Sequence, residues 1–269
     1  TLGNAGSVSI DARALDITDG GLVTSGTFGL GNGGGIRVTA DRVQIDGGGF
    51  LTGILTEATT ISRGDAGAID LTARTLTLRD RGAIASNSFG QGRGGDVRVT
   101  ITDRADFAGD FTGLAAISTS LQPAGQVSIS AGSLTLKDGA SISTQSAVAE
   151  GGNITVGASD LLYLKDAGIR TSVFAGQGGG GDIAISRPRF VVLNRGAIIA
   201  DAVGGNGGNI SISSDQFLAT PDSLVSASSR LGIDGTITIE APNIDVSAAV
   251  VALPSGFLDA SALVRDSCT

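Results

Sequence analysis

The chain has 269 residues, with 43 glycines against 5 prolines, no histidine, methionine or tryptophan, and a formal net charge of −8. So little proline, with no glycine at every third position, excludes collagen, and 41% apolar residues are too many for a disordered chain. Without imidazole there is no Ser-His or Cys-His nucleophile pair and no His-ligated metal. The cations, apart from Lys137 and Lys165 all arginines scattered singly, give no clustered face for nucleic acid.

One phrase recurs along the chain: a glycine-rich turn followed by apolar–x–apolar. Its first apolar positions are Val8, Ile36, Ile69, Val97, Val127, Ile154, Ile183, Ile210 and Ile237, 27 to 33 residues apart. The first copy sets the pattern. Val8-Ser-Ile10 is followed by a second pair, Leu15/Ile17, a tight turn at Asp19-Gly20-Gly21 and a third strand, Leu22-Val23-Thr24. A glycine-rich corner then returns to the next copy. The second copy repeats Val43/Ile45 and Asp46-Gly47-Gly48 but is the longest, with extra residues around Leu51–Ile61. The third gives Leu76/Leu78, Asp80-Arg81-Gly82 and Ala83-Ile84-Ala85. The fourth breaks its second strand with Ala105-Asp106-Phe107; this and the Leu51–Ile61 excess are expected to be corner insertions. The fifth, sixth and seventh copies are regular, with Leu134/Leu136, Leu162/Leu164 and Val191/Leu193. Their turns are Asp138-Gly139, Asp166-Ala167-Gly168 and Asn194-Arg195-Gly196, and their third strands are Ser141-Ile142-Ser143, Ile169-Arg170-Thr171 and Ile198-Ile199-Ala200. The ninth ends with Ile244/Val246. In each turn Asp or Asn with its following Gly is expected to supply the positive φ.

Three short strands per period, alternating inward and outward, describe one coil of a parallel β-helix. The fold class is therefore all-β: a single-stranded solenoid of about nine coils, residues 1–247. At one strand spacing of about 4.8 Å per coil the rod is roughly 43 Å long. One coil cannot bury its own apolar face, so the array is one cooperative unit. Residues 248–269 form a tail, read as a cap on the last coil or an inter-subunit contact. The open coil edges are expected to self-associate, since unpaired strands template association. No run of 18 apolar residues exists, so no membrane-spanning helix is expected. The absence of a signal peptide and of an initial Met reads as a processed or excised piece. Cys268 is the single cysteine and has no internal disulfide partner.

Four features resemble chemistry. The spacing G-x-G-x-x-G occurs at Gly29/Gly31/Gly34, Gly90/Gly92/Gly95 and Gly176/Gly178/Gly181. A nucleotide site would need a helix after it, and each copy precedes a strand, so these are structural corners. Asp96, Asn153, Asp182 and Asn209 follow paired glycines, as in calcium-binding β-rolls, but the column mixes in Ser7, Gln126 and Thr236; it reads as turn residues satisfying neighbouring backbone rather than as calcium ligands. Asp103, Asp106 and Asp110 are the one internal acid cluster, while Asp16 and Asp19 sit beside a turn. Phe28, Phe89 and Phe174 share one corner and are expected to wedge into the core under the glycine loop, a ligand-stacking stripe being the alternative.

The phrases Asp138-Gly-Ala-Ser-Ile-Ser-Thr144, Ala83-Ile-Ala-Ser-Asn-Ser-Phe-Gly-Gln-Gly-Arg-Gly-Gly95 and Thr171-Ser-Val-Phe-Ala-Gly-Gln-Gly-Gly-Gly-Gly181 resemble filamentous-haemagglutinin-like exoproteins of Gram-negative bacteria and cyanobacteria. The resemblance covers nearly the whole chain as repeats, and the tail looks like the region where such repeats end. It implies a right-handed β-helix, secretion through an outer-membrane partner, a cell-surface location and an adhesive or scaffold role, with host or surface glycans as partners. The family's N-terminal secretion domain is not in this sequence. The expectation is a non-enzymatic extracellular rod with no assigned catalytic, cofactor or metal residue. The alternatives are a polysaccharide-active β-helix enzyme or carbohydrate-binding module, and a subunit that polymerises end to end.

Overall fold

A computed structural model describes residues 3–241. The Ile244/Val246 pair and the expected tail at 248–269 lie outside the described residues. Among the described residues all regular structure is strand. The elements alternate between two parallel sheets, giving a β-solenoid of about eight turns. One sheet stacks β1 (Val8–Thr18), β3 (Ile36–Asp46), β5 (Ile69–Arg79), β7 (Val97–Ala108), β9 (Val127–Lys137) and β11 (Ile154–Lys165) in that order. It continues through β13 (Ile183–Ser186), with β14 (Phe190–Asn194) beside it, then β16 (Ile210–Ser213), with β17 (Gln216–Ala219), and ends at β19 (Ile237–Glu240). The other sheet stacks β2 (Leu22–Thr27), β4 (Thr52–Ala58), β6 (Gly82–Ser88), β8 (Gly113–Ser118), β10 (Ser141–Ser146), β12 (Gly168–Val173), β15 (Ala197–Ala202) and β18 (Leu224–Ser226).

The repeated phrase is a physical column. Val8 pairs with Ile36, Ile36 with Ile69, and so on through Val97, Val127, Ile154, Ile183 and Ile210 to Ile237. Identical inward positions stack coil on coil, so each β-branched side chain packs on its own copy. From the second coil to the seventh the columns are sealed, with Val43, Ile45, Leu76, Leu78, Leu134 and Leu136 at 0% exposure.

The expected three strands per coil become two through the first six coils. The first and second strands are one 11- or 12-residue strand there, because the ladder continues through the bend between them. Alternation slips by one at that bend: Arg13 and Ala14 both face out, as do Asp41 and Arg42. The strands separate only later. Arg187-Pro188-Arg189 divides β13 from β14, where proline has no N–H to give the ladder.

Both expected corner insertions are relocated. The pairing offset rises from 28 residues across β1–β3 to 31 across β2–β4 and 33 across β3–β5. Three of the extra residues therefore lie in the turn between β3 and β4, and two in the following corner. Thr52–Ala58 itself is a regular strand. In the fourth copy nothing is broken. Ala105-Asp106-Phe107 pairs with Leu76-Thr77-Leu78, and Phe107 is buried in the leucine column. One extra residue is taken up as an irregularity before Arg104.

Candidate functional site

The corner between the second sheet and the next coil carries the most distinctive chemistry, and it is built from glycine. Gly34, Gly67, Gly95, Gly125, Gly152, Gly181, Gly208 and Gly235 form one column. A Cβ on any of them would meet the backbone carbonyl of the column member one coil earlier, inside the 3.0 Å that real Cβ atoms do not cross. A second column, containing Gly31, Gly64, Gly92, Gly205 and Gly232, obeys the same rule. Except for Gly176, whose φ is +75°, the G-x-G-x-x-G glycines keep ordinary φ. At Gly31, Gly34, Gly90, Gly92, Gly95, Gly178 and Gly181 glycine lets backbones approach, and strands follow each motif, as its structural reading requires.

The hydroxyls of the third strands explain themselves against this corner. Thr56 Oγ1 and Ser86 Oγ donate to Gly67 O at 2.5 and 3.0 Å, Thr144 Oγ1 to Gly152 O at 2.5 Å and Thr171 Oγ1 to Gly181 O at 2.6 Å. One column outward, Thr27 donates to Gly31 O at 2.6 Å, Ser88 to Gly92 O at 2.7 Å and Ser118 to Gln122 O at 2.8 Å. Buried carbonyls that no strand can reach are thus satisfied by inward Ser and Thr. Sequence reading listed these strands without seeing that role; hydroxyls at every second position before a glycine corner are the signal.

Each member of the Asp96/Asn153/Asp182/Asn209 column gives a side-chain oxygen to the backbone of the next coil. Asp96 Oδ1 accepts Gln126 N–H at 3.0 Å and its other oxygen is held by Arg98. Asn153 Oδ1 accepts Asp182 N–H at 2.9 Å, Asp182 Oδ1 accepts Asn209 N–H at 2.7 Å and Asn209 Oδ1 accepts Thr236 N–H at 3.0 Å. A parallel ladder runs from Asn4 to Asn32, Asp65 and Arg93. These side chains couple adjacent coils. Among the described residues no three acidic or thiol groups converge as a cation would require.

The acid cluster is dispersed. Asp103 sits at the bend of β7 and meets Arg74 at 3.5 Å. Asp106 faces out of β7 against Arg104, whose guanidinium pKa is raised chiefly by that hydrogen bond. These two carboxylates line a shallow groove with Thr75, Thr77 and Arg104, while Asp110 belongs to the turn before β8 and is not among the lining residues. At another turn Arg195 grips Asp166 of the preceding coil with two bonds of 2.5 and 2.6 Å, which lowers the Asp166 carboxyl pKa.

One expectation is corrected here and another is met in part. Phe28, Phe89 and Phe174 are not core wedges; they are 70%, 37% and 59% exposed on the outside of the corner. Their column alternates with Thr59 and Thr119, and Phe89 and Phe174 hydrogen-bond through their backbone to the coil before. In the tight turns Asp and its following Gly supply the positive φ as expected at Asp19-Gly20 and Asp138-Gly139, and glycine alone does so at Gly48 and Gly49. At Asp80-Arg81, Asp166 and Arg195 positive φ falls on non-glycine residues, and the closing Gly82, Gly168 and Gly196 are ordinary. Asp tolerates the left-handed region better than most side chains.

Sequence reading also missed an outer-face change. The two outward columns of the second strand carry Arg42/Gln44, Thr75/Thr77, Arg104/Asp106 and Ser133/Thr135, then switch to Leu161/Tyr163 and Phe190/Val192. Leu218 continues the apolar run and is 52% exposed. The extra leucine in Leu161-Leu-Tyr-Leu164 and the extra valine in Phe190-Val-Val-Leu193 are the signal. Compared with models of protein families, with curated proteins and with solved structures, the chain finds no match.

Proposed function

We propose that this chain is the non-enzymatic structural rod of an extracellular bacterial adhesin or fibre, wound as a right-handed helix of about nine coils. Strand–crossover–parallel-strand connections are right-handed in about 98% of cases, which favours that hand. One observation carries the reading: the polar groups of the corner are spent on backbone, closing each corner on its own strand and joining it to the next coil. Thr56 and Thr171 donate to glycine carbonyls of the corner that follows them, and the Asn153 and Asp182 side chains accept from the backbone of the next coil. A corner whose polar groups are used up in this way suits a spacer that presents something else.

Secretion through an outer-membrane partner and glycan adhesion belong to the same proposal and follow from the resemblance. The test is an antibody raised against the purified chain and applied to intact and to permeabilised producing cells. Labelling of intact cells supports the rod; labelling only after permeabilisation overturns it. The enzyme alternative needs the β7 carboxylates. Release of new reducing ends from a polysaccharide, abolished by Asp103→Asn or Asp106→Asn, would replace the rod by a glycan-active enzyme.

A further inference from the structure

The sequence holds two Asn-Gly pairs, Asn32-Gly33 and Asn206-Gly207, and both fall in the glycine corner. Asparagine is a thermolabile residue, and a following glycine makes it most so, because no side chain shields the glycine nitrogen from the asparagine amide. Neither glycine can be exchanged for a safer neighbour. A Cβ at Gly33 would lie 2.7 Å from Gly67 N, and one at Gly207 would lie 2.2 Å from Ala227 O. Coil stacking therefore forces the reactive pairing on both asparagines.

Both asparagines are exposed, so water reaches them. Their reacting atoms are nevertheless held. Asn32 Oδ1 accepts Asp65 N–H at 3.0 Å, and Gly33 N–H donates to Asp65 O at 2.8 Å. Asn206 Oδ1 accepts Ile233 N–H at 3.1 Å, and Gly207 N–H donates to Ile233 O at 2.9 Å. In each case one residue of the next coil takes both the amide that would be attacked and the nitrogen that would attack it. From the other side Ala5 N–H donates to Asn32 O and Gly180 N–H to Asn206 O, both at 2.8 Å, which pins the peptide that would have to turn.

We propose that Asn32 and Asn206 are deamidation sites that coil stacking keeps closed, so that each is modified only when the adjoining coil opens. In the reaction the glycine nitrogen gives up its proton and bonds to asparagine Cγ. The Cγ–Nδ2 bond breaks, and Nδ2 leaves as ammonia with that proton. Water then opens the cyclic imide at one carbonyl or the other, giving Asp or isoaspartate. The nitrogen cannot attack while its hydrogen is given to a carbonyl of the next coil and the asparagine side chain is held by the same residue. The Asp product suits the ladder, since Asp65 Oδ1 accepts Arg93 N–H at 2.7 Å in the same column as Asn32. Isoaspartate lengthens the backbone by one carbon, so the glycines after it lose register with the neighbouring coils. Local opening, which is ordinarily transient, would thus leave a permanent mark.

The test ages the full 269-residue chain in mildly alkaline buffer, with and without urea, and follows both sites by peptide mass spectrometry. The folded chain is expected to deamidate at both pairs at least about tenfold more slowly than the unfolded chain. The slowing at Asn32 should match the hydrogen-exchange protection of the Gly33 amide, and that at Asn206 the protection of Gly207, because reaction and exchange both need the same N–H released. Asp65→Pro removes the N–H that holds Asn32 Oδ1 but keeps the carbonyl, and Pro123 already fills this column with its carbonyl accepting Gly94 N–H. It should speed Asn32 several-fold and leave Asn206 unchanged; Ile233→Pro should do the reverse. If a variant unfolds, both pairs reach the urea rate, and the exchange comparison on the unaltered chain decides. Three results overturn the proposal: a folded chain that deamidates as fast as the unfolded one, a slowing far smaller than the amide protection, or folded variants whose own site keeps its original rate.

Discussion

Gly181 has no turn to make, and its φ is ordinary, yet a methyl group there would run into the carbonyl of Gly152. The obstacle is backbone, which cannot swing aside as a side chain can. Gly181→Ala should cost about 1–3 kcal/mol, the usual range for overpacking, read as a lower denaturant midpoint. Hydroxyls in the neighbouring column divide by whether they have a partner. Ser88 donates to Gly92 O at 2.7 Å, whereas the buried Ser146 Oγ has no partner. Ser88→Ala should therefore lose about 1 kcal/mol. Ser146→Ala should be neutral or stabilising, in keeping with Val173 and Ala202 in the same column. Equal losses in the two variants would refute the division. The Asp166–Arg195 pair makes a pH prediction. Asp166 is held below its unfolded pKa mainly by the Arg195 hydrogen bond. Its contribution is then present at neutral pH and is lost as pH falls through the depressed folded value. Arg195→Asn keeps a residue suited to the positive φ. Its thermal destabilisation relative to the unaltered chain should shrink toward zero in acid; a gap that widens there contradicts the assignment.

At the scale of elements, what the sequence could and could not reveal separates cleanly. The phrase positions are legible because inward β-branched residues alternate and stack, and each became a ladder column. The merging of the first two strands was not legible. A bend that keeps its hydrogen bonds looks in sequence like a two-residue gap, as at Arg13-Ala14. The fourth copy misled for a related reason: Ala105-Asp106-Phe107 looks irregular only if columns must repeat residue type, whereas they must repeat direction and volume. Phe107 fills the place that Leu78 and Leu136 hold in adjacent coils. Phe107→Ala is expected to cost about 3–5 kcal/mol, as buried aromatic truncations do, and Phe107→Leu much less. The exposed Phe28 gives the contrasting case. Phe28→Ser should change stability by no more than about 0.5 kcal/mol, and a loss as large as that of Phe107→Ala would return Phe28 to the core.

For the whole molecule, the constant cross-section means that a coil is defined by its columns and not by its neighbours' identity. Stability in such an array is roughly a sum of repeat terms and nearest-neighbour interfaces. Excising one complete period should then leave a shorter rod of the same kind. Removing residues 127–153 joins Gln126 directly to Ile154, so that Val97 faces Ile154 and Phe107 faces Leu164 in the long-strand sheet. In the other sheet Leu114 comes to face Ile169. Each new pair repeats the inward direction of the pair it replaces, in which Val127, Leu136 and Ile142 bridged the same columns. The corner glycines close up as well, with Gly152 removed and Gly181 brought over Gly125. The shortened chain should melt cooperatively with an undiminished β-type circular dichroism per residue, and its rod should be about 4.8 Å shorter by small-angle scattering. A half-period excision, residues 127–139, breaks every column above the cut and should abolish folding. If both deletions unfold the chain alike, the coils are not interchangeable, and the cross-section is set by contacts specific to each coil.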